Sequence, residues 1–123
     1  MITTRTRKCK DDSSFEQEGD YVATISVGHN ANENDMLFKN AHCDDIWFHL
    51  ASGPSAHVYL HVDSGTISKR NYLTLLHECA DFVRKYSKCC YNASVNYLPR
   101  RYLYKDAQCK QGEVILKKSP KRL

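Results

Sequence analysis

Three histidines, His49, His57 and His61, fall within residues 44 to 62, DDIWFHLASGPSAHVYLHV, beside Asp44, Asp45 and a Gly-Pro-Ser turn. Imidazole, carboxylate and hydroxyl in one neighbourhood are the ingredients of a metal centre or a nucleophilic site. A zinc centre needs about four converging ligands, or three plus water when catalytic. His57 and His61 lie four apart in a strand-like stretch, on one face but roughly 13 Å apart at ~3.3 Å per residue, too far to share an ion. His49 and His57 can meet across paired strands, yet the spacing supplies no third ligand beyond the conceivable His42 and Cys43. Ser55 lies near His57 and the two acids but lacks the G-x-S-x-G elbow that exposes a nucleophilic serine. No catalytic residue, metal ligand or cofactor is therefore assigned, and the protein is expected not to be an enzyme. The expected role of His49 and His57 is to hydrogen-bond backbone or the acidic pair and so hold the turn. Trp47 reads as a core filler before it reads as a stacking surface for a base.

The elements that must position these residues follow from apolar spacing. Tyr21, Ala23, Ile25 and Val27 alternate strictly, which predicts a strand ended by Gly28. Asn30 with Glu33 has the form of a capping box and predicts a short helix through Asn40, with Met36, Leu37 and Ala41 inward. Residues 45–50 and 56–62 predict two strands joined by the turn. Each has an aliphatic face (Ile46, Phe48, Leu50; Val58, Leu60, Val62) and an aromatic or imidazole face (Trp47, His49; His57, Tyr59, His61), so both sides of the sheet are expected to be covered. Ser68 caps a long helix to about Ser87, with Tyr72, Leu75, Leu76, Cys79, Phe82, Val83 and Tyr86 at helical spacing. Short strand-like pieces follow at 94–98, 101–105 and 113–117. The order β-α-β-β-α-β-β-β predicts an α+β domain, a mostly antiparallel sheet with one short and one long helix. Residues 1–19 show no period and read as a flexible arm, 20–118 as the domain, and 119–123 as a loose basic tail.

A chain of 123 residues, 41% hydrophobic and 26% charged, suits one ordinary globular domain. No apolar run approaches the ~20 residues of a membrane span, and the basic N-terminus lacks the apolar middle of a secretory signal. A cytoplasmic location is expected, with Cys9, Cys43, Cys79, Cys89, Cys90 and Cys109 as reduced thiols. The net charge of +4 hides an asymmetry: residues 1–82 hold 7 Lys and Arg against 12 Asp and Glu, whereas residues 83–123 hold 11 against 2. Clustered cations neutralise phosphates, so the last third is the expected polyanion-binding face. Its candidates for phosphate contact are Arg84, Lys85, Lys88, Arg100, Arg101, Lys105, Lys117, Lys118, Lys121 and Arg122. Tyr102 and Tyr104 are candidates for stacking on exposed bases, with strand packing an equal alternative.

Several stretches together resemble one family. Gly28-His-Asn-Ala-Asn-Glu-Asn-Asp35, Lys39, Asp45-Ile-Trp-Phe-His49, Gly53-Pro-Ser-Ala-His-Val-Tyr-Leu60, Tyr86-Ser-Lys88, Val95-Asn-Tyr97 and Gly112-Glu-Val114 are similar to the NFACT-R domain, also called DUF814, in its stand-alone eukaryotic form. The resemblance covers residues 21–117 and implies an NFACT-R-like single domain that binds RNA. The family's large members act in ribosome quality control on the large ribosomal subunit. Their N-terminal domain and coiled-coil arms have no counterpart here, so their tailing activity is not implied. In compactness the chain also resembles small ribosome-bound members. The expected partner is therefore the ribosome, through ribosomal RNA and proteins of the large subunit, with the protein monomeric outside it and no membrane involved. The expected function is docking on ribosomal RNA, with occupancy of a transfer-RNA site as a hibernation factor. The rivals are a protein-interaction adaptor and a metal-dependent hydrolase using His49 and His57.

Overall fold

In the computed structural model, which describes residues 2–7, 21–65, 67–88 and 92–123, the long helix predicted after Ser68 is the pillar of the fold. This helix, Lys69–Tyr86, starts where the Ser68 hydroxyl accepts the Asn71 N–H at 3.1 Å. It buries Leu75, Leu76, Cys79, Ala80 and Val83 against one side of a six-stranded antiparallel sheet. The strands of that sheet are β1 (Ile2–Arg7), β2 (Tyr21–Gly28), β3 (Ile46–Leu50), β4 (His57–Gly65), β5 (Val95–Pro99) and β8 (Lys121–Arg122). They lie in the order β1-β2-β4-β3-β5-β8. We call the long helix α2 and the short one, Ala31–Asn40, α1. Each alternation predicted for β2, β3 and β4 is present, with Tyr21, Ala23, Ile25, Val27, Phe48 and Val58 no more than 1% exposed under α2.

The other side of the sheet is covered as expected, by different means. Trp47 of β3, Tyr59 of β4 and Leu98 of β5 form a second core with Leu103, flanked by Leu37 and Phe38 of α1 and by Val114 and Leu116. Leu103 and Leu116 belong to a small two-stranded sheet, β6 (Leu103–Tyr104) with β7 (Ile115–Leu116), reached through a 3₁₀ turn at Arg100–Tyr102. The Asn30 cap forms, its Oδ1 accepting the Glu33 N–H at 2.9 Å, while a Glu33 carboxylate oxygen reaches back to the N–H of His29, the residue before the cap, at 2.9 Å. Contrary to the sequence expectation, Met36 faces outward and is 56% exposed, and Phe38 packs on the second core in its place.

Two further expectations fail at the chain ends. Residues 2–7 of the supposed arm form the edge strand β1, paired with β2 from Ile2↔Ser26 to Arg7↔Tyr21. ITTRTR carries no apolar alternation, but an edge strand is held by backbone bonds, and β-branched threonine favours it. Residues 8–19 of that arm, and Cys9, Cys89 and Cys90, lie outside the described residues. The basic tail is not loose: β8 pairs with β5, and Leu123 exchanges two backbone hydrogen bonds with Val95, at 2.7 and 3.0 Å. Cys43, Cys79 and Cys109 are free thiols.

Candidate nucleic-acid interface

Between the first turns of α2 and the returning C-terminal segment runs a groove of about 590 Å³. Its wall on the helix side is Lys69, Tyr72 and Leu73; on the other side it is Arg101, Tyr102, Lys118 and Lys121, with Tyr97 of β5 at the base. Four cations and three tyrosines thus surround one concavity whose lining contains no carboxylate. Lys118 Nζ stands 4.2 Å from the centre of the Tyr102 ring, and Arg101 lies 6.0 Å from it. Arg101 is also paired with Asp44 at the surface, with the two side chains 48% and 79% exposed, an arrangement solvent screening makes weak and easily exchanged. A ribose-phosphate chain with unstacked bases meets in this groove what it needs, point charges on flexible stems beside aromatic rings.

Only part of the charge-based assignment converges here. Arg101, Tyr102, Lys118 and Lys121 do. Arg122 is exposed on the edge strand, and its Nε donates to Asn96 Oδ1 at 3.3 Å. Lys117 and Tyr104 form a pair on the small sheet, 5.8 Å apart. Lys85 and Lys88 are exposed at the far end of α2. Three cations are occupied within the fold. Arg84, with its side chain 13% exposed, donates to the Ala93 carbonyl at 2.6 Å and to Asp81 at 2.8 Å. Arg100 lies over the Phe38 ring at 3.7 Å and donates from Nε to the Phe38 carbonyl at 3.0 Å. Lys105 is paired with Asp35, which also accepts the Gly112 N–H at 2.9 Å; the bond from Lys105 is the main reason the Asp35 carboxyl sits below its ordinary range.

Lys69, Tyr72 and Tyr97 lie in the groove although the charge pattern of the last third does not single them out. A signal for Lys69 is present in the sequence: α2 opens with Lys69-Arg70 and has no acid in its first turn. Cations there oppose the helix dipole, so a need other than helix stability is implied. Tyr72 and Tyr97 carry no such mark, because both also fit core spacing and both pack on the main core.

The histidines are brought together differently from any metal site. Trp47 Nε1 donates to His57 Nδ1 at 3.2 Å, and His49 Nδ1 lies 2.7 Å from the Leu50 carbonyl. The two imidazoles meet edge to face with centres 4.9 Å apart. Burial, then the neighbouring His49, pushes the His57 pKa down to about 3, and burial also lowers that of His49. Both rings are thus neutral at physiological pH. Trp47 is core, as expected. The acidic pair does not serve these two rings: Asp45 accepts the His42 N–H and pairs with His61, whose ring stacks on His42 at 4.7 Å. The turn is held by Ser55 instead, its hydroxyl accepting the Leu50 N–H at 2.9 Å and donating to the Ala56 carbonyl at 2.6 Å. Among the described residues no three His, Cys, Asp or Glu side chains converge as a metal site would require. No helix of the described residues is long and apolar enough to cross a membrane.

The sheet, its two-stranded cap and the groove along the main helix together make up one α+β domain. The chain belongs to the NFACT protein RNA binding domain family, whose model matches residues 13–118. It is 36% identical over 86 residues to the coiled-coil domain-containing protein 25 homolog of Dictyostelium discoideum, covering 68% of this chain and 42% of that protein. Against coiled-coil domain-containing protein 25 of Mus musculus it is 35% identical over 94 residues, covering 74% of this chain and 45% of the other. The chain therefore spans less than half the length of these relatives. Among solved structures, the C-terminal part of the fibronectin/fibrinogen-binding protein from Streptococcus suis superposes with a TM-score of 0.68 at 26% identity, covering 82% of this chain and 39% of that one.

Proposed function

We propose that this protein docks on ribosomal RNA through the groove between α2 and the C-terminal segment. It acts in the cytoplasm as a ribosome-associated binding protein, not as an enzyme. The observation that carries the reading is the convergence of Lys69, Arg101, Lys118 and Lys121 with Tyr72, Tyr97 and Tyr102 around one concavity free of carboxylates. Membership of an RNA-binding family supports it. Occupancy of a transfer-RNA site on the large subunit, holding idle ribosomes dormant, is the form of docking we favour, since a compact domain with a single-strand-type groove suits a site evacuated by a nucleic acid.

The test is sedimentation of cell extract through sucrose gradients at low and high salt, comparing the native protein with Lys118→Glu/Lys121→Glu. Native protein is expected to migrate with ribosomes and to be released by salt. The double variant is expected to remain at the top of the gradient. For purified protein on single-stranded RNA, removing one phosphate-binding cation lowers the salt slope by about 0.7. Migration of native protein as free protein at both salts defeats the ribosome reading. Unchanged co-sedimentation of the variant defeats the groove.

A further inference from the structure

Beside the His49–His57 pair lies a second cleft, of about 640 Å³, between the start of α1, the 51–56 turn, the end of α2 and the 111–113 loop. Its polar character is the opposite of the groove's: no Lys or Arg lines it, and Glu113 does. His57 Nδ1 accepts from Trp47, so the neutral ring carries its proton on Nε2, a donor. His49 Nδ1 faces the Leu50 carbonyl and must donate to it, leaving Nε2 as an acceptor. Neither Nε2 has a hydrogen-bond partner among the described residues. At the mouth the rings of His29 and Tyr86 lie 4.7 Å apart. The exposed Lys85 stands 5.5 Å from the Tyr86 ring, and Lys88 is exposed two residues on.

A fixed donor and a fixed acceptor side by side carry no positive charge for a phosphate and offer a metal ion only one lone pair, that of His49 Nε2, whereas they match the edge of a planar heterocycle. Rings at the mouth supply faces for stacking, and the two lysines outside supply charge for the flanking phosphates. We infer that this cleft takes one unpaired nucleobase of the bound RNA, held at its edge by His49 and His57 and at its face by His29 or Tyr86. The inference rests on the RNA-docking reading and adds a second point of attachment at the opposite end of α2, roughly 27 Å along a helix of 18 residues. It also gives the histidines a use, since Ser55 holds the turn between their strands.

Trp47 is the sole tryptophan of the chain, bonded to His57 with its ring 5.4 Å from that of His49, so its emission reports on the cleft directly. The experiment compares a single-stranded RNA octamer with an abasic oligomer of equal length and charge, following binding as a function of salt together with Trp47 emission. RNA is expected to bind about ten-fold tighter than the abasic chain and alone to shift the emission. His49→Phe, which keeps a ring but removes the acceptor, is expected to reduce that difference, to silence the emission shift and to leave the salt dependence intact. His29→Ala, at an exposed position, serves as the variant with least risk to folding and is expected to reduce the difference. Equal, salt-dependent binding of both oligomers with Trp47 silent overturns the base cleft while the phosphate groove stands. Preference for RNA with silent Trp47, or undiminished in both variants, overturns it too, since the bases are then read elsewhere. Failure of both oligomers to bind overturns the groove and the cleft together.

Discussion

Arg100 and Arg101 are neighbours in sequence, yet one is built into the wall between α1 and the sheet and the other stands at the rim of the groove. The same division separates the molecule's two polar surfaces. Around Trp47, His49 and His57 the inner nitrogens have set partners and burial keeps the rings neutral. Around Lys69, Lys118 and Lys121 the ammonium groups have no carboxylate partner among the described residues. A charge or an imidazole becomes available for binding only where the fold leaves it uncommitted. Composition counts both kinds alike.

The comparison can be broken at four places. The largest effect is expected at its support: Phe48, fully buried in the main core, costs about 3–5 kcal/mol as Phe48→Ala, read as a lower urea midpoint. A smaller loss in a fold this size would mean that the core rearranges around the cavity.

Acid sharpens the contrast next. His57 has an ordinary pKa of 6.5 and a folded value of about 3, so between these pH values the unfolded chain takes up a proton that the native state refuses. Stability therefore falls as pH drops below 6.5, by at most roughly 1.4 kcal/mol per pH unit for this residue. The depressed His49 and Asp35 act in the same direction, the latter below its ordinary 3.8. Denaturant midpoints measured from pH 7 to 4 should decline, and His57→Gln should flatten that decline. An equal decline in the variant would place the titrating group elsewhere.

The paired arginines come third and fourth. Arg100→Ala removes a charged donor from the Phe38 carbonyl and the cation from its ring, at a cost of about 2 kcal/mol, with the salt slope of RNA binding unchanged in the folded protein. Arg101→Ala removes an exposed ion pair and should cost under ~1 kcal/mol of stability. Its effect should show in the salt slope instead. Reversal of these two outcomes would erase the distinction between structural and available cations.

Local signals are legible wherever a residue's role depends on its chain neighbours. The alternation in β2, β3 and β4, the Asn30 and Ser68 caps and the apolar stripe of α2 are short-range patterns, and each is present where the residues put it. The inward turn of Met36 fails because a ten-residue amphipathic helix admits two faces, and only the position of the sheet chooses Phe38. The motifs shared with the family mark an RNA-binding domain, and the excess of cations after residue 82 marks its basic third.

The groove itself is not legible, because its two walls lie about thirty to fifty residues apart in the chain, at Lys69–Leu73 and at Arg101–Lys121. What brings them together is the backbone pairing of β8 with β5 and of Leu123 with Val95. Any residue can accept a backbone hydrogen bond and any but proline can donate one, so a two-residue edge strand leaves no pattern in sequence. The same holds for β1. Sequence thus determined the two helices and the central strands, most of the faces they bury and the sign of the charge. Tertiary structure decided which cations are free, since that depends on partners from distant segments: Phe38 for Arg100, Asp35 for Lys105, and Ala93 with Asp81 for Arg84.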